Sequence, residues 1–62
     1  MYVITRFDSA LSAPELATYE TADEALAHLA TLRVAFIEED AQNPGCYDGI
    51  GSDGRVYSIE KR

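Results

Sequence analysis

Residues 21–40, Thr21-Ala-Asp-Glu-Ala-Leu-Ala-His-Leu-Ala-Thr-Leu-Arg-Val-Ala-Phe-Ile-Glu-Glu-Asp40, decide how this chain folds. Thr21 and Glu24 have capping-box spacing, in which the hydroxyl accepts from a first-turn N–H and the carboxylate reaches back to the cap N–H. Asp23 and Glu24 then sit where the helix dipole favours negative charge. A step of about 100° per residue puts Ala22, Ala25, Leu26, Leu29, Leu32, Phe36 and Ile37 on one apolar stripe, with Asp23, Glu24, Ala27, Thr31, Val34 and Glu38 opposite. The pattern predicts one amphipathic helix over the whole stretch. Asn43-Pro44-Gly45 stops it, because Asn tolerates a left-handed cap and Pro cannot continue the ladder. Arg33 falls at the stripe's edge, its stem on apolar surface and its head within reach of Asp40 or Glu20.

Read this way, the helix closes on Glu38, Glu39 and Asp40. Carboxylates in a last turn oppose the dipole by roughly 0.3–1 kcal/mol each at low salt, so helix stability does not account for them. Two readings remain: a frayed end screened by water and salt, or an acidic surface that steers the protein toward a basic partner.

Before this stretch, Tyr2-Val-Ile-Thr-Arg-Phe7 is dense in β-branched and aromatic residues and reads as a strand. Asp8 to Pro14 is a small-residue connection, and Leu16-Ala-Thr-Tyr-Glu20 alternates as a second, antiparallel strand, although Pro14-Glu15 could also begin a helical turn. After it, Cys46 to Glu60 reads as a hairpin folded about Ser52-Asp53-Gly54, since Asp-Gly supplies the positive φ such turns need. Tyr57 and Ile59 fall on one face of its second strand, with Val56, Ser58 and Glu60 on the other. Gly49 and Gly51 weaken the first strand and suggest a bulge. The order is β-β-α-β-β: a single α+β domain spanning residues 1–62, one helix laid across an antiparallel sheet of about four strands. Its expected centre is Leu26, Leu29, Phe36 and Ile37 packed on Ile4, Tyr57 and Ile59.

Size and composition narrow the functions. A chain of 62 residues buries only about 60% of the surface exposed when unfolded, which leaves one thin core and little room for a deep active site. Apolar residues at 47%, with four Tyr and two Phe, suit a compact fold rather than an acidic disordered tail. Eleven acidic against five basic residues give a net charge of −6, which repels nucleic acid and anionic membranes. The lone Cys46 cannot form an internal disulfide and fits a reducing compartment, so a cytoplasmic location is expected. The opening Met-Tyr-Val-Ile-Thr-Arg has neither a basic leader nor a long apolar run, so no signal peptide or membrane span is expected.

Chemistry is sparse. One imidazole, His28, and one thiol, Cys46, lie far apart in sequence and fall short of the ligands a tetrahedral zinc site requires. Asp48, Asp53, Gly54 and Glu60 resemble a calcium loop with its glycine and glutamate each one place too late, with Ile50 where a ligand belongs. The glycines lack the strand-loop-helix setting and following Lys of a phosphate loop. No enzymatic activity, cofactor or metal is expected. A sheet covered by one helix leaves its second face open, and some of Tyr2, Tyr19, Tyr47 and Tyr57 are expected to point outward there. The reading is therefore a small acidic protein-interaction module, an inhibitor or regulator engaging a basic partner surface, with Glu38, Glu39, Asp40, Tyr2, Tyr19 and Tyr47 as its contact residues. One version imitates the charge of nucleic acid and blocks a nucleic-acid-binding protein. The alternative is a structural homo-oligomer, typically a homodimer, paired through its sheet face or an edge strand, with Val34 and Ala27, Ala30 and Ala35 as a further contact patch.

Overall fold

The β-branched and aromatic residues of Tyr2–Phe7 form strand β1, and Glu15–Tyr19 forms β2 antiparallel to it. The computed structural model describes residues 1–9 and 11–62; the β1–β2 connection includes Ala10, which lies outside the described residues. Helix α1 spans Ala22–Ala30, followed by β3 (Val34–Glu39), β4 (Tyr47–Gly51) and β5 (Val56–Lys61). The fold is α+β, one helix on an antiparallel sheet, with five strands in the order β2-β1-β5-β4-β3 rather than four.

The fifth strand comes from the second half of the stretch expected to be helical. Thr21 caps α1 as anticipated: Glu24 N–H donates to its Oγ1 at 3.2 Å, while the Thr21 hydroxyl donates to the Glu24 carboxylate at 2.9 Å. The helix nevertheless ends after nine residues. Thr31 N–H and Leu32 N–H bond back to His28 and Leu29 carbonyls at 2.9 and 3.0 Å, tightening the last turn. Arg33 then takes a left-handed conformation, φ 58°, which turns the chain out of the helix. Val34-Ala-Phe-Ile, with its β-branched and aromatic residues, continues as an edge strand paired with β4. Asn43-Pro44-Gly45, expected to stop the helix, belongs instead to the β3–β4 turn, where Gly45 has φ 88°. The anticipated Ser52-Asp53-Gly54 hairpin joins β4 to β5, with Gly54 at φ 86°.

Burial follows from the short helix. Nine residues make a rod about 13 Å long and 10 Å wide, while the outer strands of a five-stranded sheet lie about 19 Å apart. Helix α1 packs chiefly on β2, β1 and β5, with β3 at the margin of its cover. The core is Ile4, Ala25, Leu29, Tyr57 and Ile59, edged by Tyr2, Tyr19, Leu26, Leu32, Val34 and Tyr47. Phe36 and Ile37, expected at its centre, are 52% and 38% exposed, Phe36 because it points to the face opposite the helix and Ile37 because it lies on the outer strand at the edge of the helix's cover. Gly49 lets the helix seat on β4: a Cβ there would stand 3.2 Å from Leu29 Cδ2 and 3.2 Å from Val34 Cγ1.

Candidate functional site

Strand register assigns every side chain to a face. Ile4, Ile59, Tyr57 and Gly49 lie under the helix, and their neighbours along each strand point to the opposite, uncovered face. On that open face Phe7 pairs with Val56, Val56 with Ile50, and Ile50 with Phe36. These apolar residues form one continuous row across β1, β5, β4 and β3, exposed by 55%, 38%, 40% and 52% in that order. A bulge at Ala35 makes the row possible, because it resets β3 so that Val34 faces the helix side and Phe36 the open side. Leu11, at the loop following β1, is fully exposed beyond the same end of the sheet.

Two residues further along the strands the next row reads Thr5, Ser58, Asp48 and Glu38. Glu38 and Asp48 are directly opposite each other and exposed. Like charges in that position destabilise a strand pair by roughly 0.2–1 kcal/mol. No cation relieves them among the described residues, whose ion pairs are Arg6–Asp8, Arg55–Asp53, Arg62–Glu15 and Arg62–Glu60. At the far corner of this face Arg62 reaches Glu15 at 2.6 Å and Glu60 at 3.2 Å, bridging β2 to β5 across β1, where Val3 is buried. The open face is thus bridged by ion pairs at one corner and left apolar and acidic over β4 and β3.

The residues anticipated as a site are dispersed. Glu38 lies on the open face, whereas Glu39 pairs with Tyr47 on the helix side. Asp40 has left the strand: its carboxylate accepts from Asn43 Nδ2 and Gln42 N–H, both at 3.0 Å, and these bonds hold it below the usual carboxylate range. None of the three carboxylates lies in a helix, so the unfavourable dipole inferred for them does not exist. The tyrosines do not supply an outward platform either. Tyr2 and Tyr19 pair with each other, and Tyr47 and Tyr57 flank Gly49, all on the helix side. Tyr19 also meets His28 edge-on, its hydroxyl 2.9 Å from Nδ1. Burial, then the Glu39 carboxylate, raises the Tyr47 phenol above its ordinary value.

A shallow depression of about 440 Å³ lies at the other end of β4 and β5, lined by Asp40, Asn43, Cys46, Asp48, Ser58 and Glu60 among others. His28 stands on the helix side against Tyr19 while Cys46 lies just before β4. Among the described residues no three His, Cys, Asp or Glu side chains converge as metal ligands would, and no helix is long and apolar enough to cross a membrane. No protein-family model, curated protein or solved structure matches the chain. Sequence reasoning missed Phe7, Ile50, Val56, Phe36 and Asp48 as a group. Phe7 and Val56 fell in expected strands, Ile50 and Asp48 in the glycine-weakened strand of the hairpin without an assigned face, and Phe36 on the expected helix stripe; only the register aligns them.

Proposed function

We propose that this chain is a small acidic protein-interaction module, acting in the cytoplasm as an inhibitor or regulator that engages a basic partner through the open face of its sheet. The observation that carries this reading is the Glu38–Asp48 pair, two uncompensated carboxylates set opposite each other beside an exposed apolar row. Such an arrangement costs the free protein stability and is relieved when a cationic surface covers it. The apolar row supplies contact area, and the net charge of −6 speeds encounter with a basic partner. The Tyr-lined helix side is left out of the interface, and so is Asp40, which organises its own turn.

The test compares the protein with its Glu38→Gln, Asp48→Asn variant in affinity capture from native lysate with stepped salt elution. The variant should release the partner at lower salt and associate with it more slowly. Unaltered elution and on-rate would reduce the acidic pair to solvated surface. Homo-oligomerisation is the second reading, favoured by the exposed outer edge of β3 with its Ala35, Phe36 and Ile37. Light scattering over a wide concentration range separates the two, because a constant mass of 6.8 kDa excludes self-association.

A further inference from the structure

We infer that the partner presents an amphipathic helix that lies along the Phe7–Val56–Ile50–Phe36 row, crossing the strands, with a basic flank turned toward Glu38 and Asp48. This inference rests on the interaction-module reading and adds to it the shape and polarity of the occupant. The row runs perpendicular to the strands, from β1 to β3. An extended peptide would follow a sheet edge instead, since its main-chain bonds need an unpaired strand. Three strand spacings cover about 14 Å, which is roughly two and a half turns of helix. Apolar residues at i, i+3 or i+4, and i+7 would meet the row along that length. On the helix side of the sheet, α1 likewise packs against three neighbouring strands, β2, β1 and β5.

The polarity follows from the adjacent row. Glu38 and Asp48 stand two residues from Phe36 and Ile50, about 7 Å along the strands, close to the radius of a helix with its side chains. A helix centred on the apolar row therefore places one flank over those carboxylates. Lys or Arg on that flank meets two unpaired acids, and Glu or Asp there meets repulsion. A second copy of this chain fits poorly. It would bring another charge of −6 and another Glu38–Asp48 pair, while Arg62, the cation on this face, is already engaged with Glu15 and Glu60.

The experiment pans a displayed library of random peptides about 16 residues long, roughly four turns of helix, on the intact protein, then synthesises the winners for titration by amide NMR. Expected winners carry apolar residues at helical spacing with Lys or Arg on one flank. They should become helical when bound and shift Phe7, Val56, Ile50 and Phe36. Phe36→Ser and Val56→Thr, both at exposed positions and checked for native amide dispersion, should each weaken binding, Phe36→Ser by about tenfold or more. The pair Glu38→Gln, Asp48→Asn should weaken it about threefold and flatten its salt dependence. Basic winners with alternating apolar residues that map to the outer edge of β3 would overturn the helical occupant while leaving a basic-partner module standing. Basic winners with no periodicity, indifferent to Phe36→Ser, would do the same. Winners that are acidic or neutral and insensitive to Glu38 and Asp48 would overturn the module reading as well.

Discussion

Arg33 is the residue on which the chain's path turns. Its φ of 58° ends the helix and aims β3 back across the sheet edge. The carbonyl is held by Ser52, whose N–H donates to it at 3.1 Å and whose hydroxyl donates at 3.4 Å. A left-handed conformation costs an L-residue roughly 1–2 kcal/mol, and glycine avoids that cost while losing about 0.5–1 kcal/mol in chain entropy. Arg33 is exposed and makes no ion pair among the described residues. Arg33→Gly should therefore stabilise the protein by about 0.5 kcal/mol, seen as a higher urea midpoint with unchanged slope. Asp40 makes an opposite, pH-dependent case. Its hydrogen bonds from Asn43 and Gln42 lower its pKa from 3.8 in the folded state. The stability it contributes is then complete above that value and lost as pH falls through the folded pKa. Asp40→Asn should lower stability at neutral pH and flatten the acid limb below about pH 4, measured as urea midpoints between neutral and strongly acidic pH.

At the scale of elements, α1 and the sheet share one small contact, so its parts are sensitive. Leu29 is fully buried. Removing a buried leucine side chain costs about 2–5 kcal/mol, and a core this small rarely supplies more than about 3–5 kcal/mol of net stability. Leu29→Ala should leave the chain largely unfolded at room temperature, with collapsed amide dispersion. Gly49→Ala pushes a methyl against Leu29 and Val34 from the other side, and overpacking of that kind costs about 1–3 kcal/mol. Phe36→Ser, half-exposed on its edge strand, should barely change the melting temperature. The contrast between Leu29 and Phe36 marks where the sequence could be read and where it misled. Capping by Thr21 and Glu24 is local chemistry, and it was recoverable from spacing alone. So were β1, the Asp53-Gly54 turn, and the inward set of Ile4, Tyr57 and Ile59. The helix end was not, because Phe36 and Ile37 happen to continue the stripe of Leu26 and Leu29. Adjacent apolar residues satisfy a helical period and a strand alike. The apparent conflict between Glu38, Glu39 and Asp40 and a helix dipole was itself the sign that no helix is there.

Across the whole molecule, one helix protects one face of the sheet, and the other face divides into a corner closed by Arg62 and a larger region of exposed apolar and acidic side chains. The carboxylates of that region favour its hydration over self-association. Glu38 and Glu39 also occupy the end of an edge strand, where charged residues discourage pairing with another chain. Replacing both by Val should lower the concentration at which the protein aggregates, followed by turbidity and thioflavin fluorescence. The orientation of the open face depended on registers between distant strands, which no local pattern encodes. That is why the acidic residues could be singled out from the sequence but not assigned to faces.

The strand order has a kinetic consequence. β5, last in the sequence, lies at the middle of the sheet and joins the β1–β2 pair to the β3–β4 pair. Until it arrives, the two hairpins share no ladder, so folding waits on the most distant contact in the chain and should be slow for its size. The same arrangement makes the protein divisible. A fragment ending after Gly51 should remain unfolded alone and regain native amide dispersion when a synthetic peptide of residues 55–62 is added, so that this short segment acts as a switch for assembly of the whole.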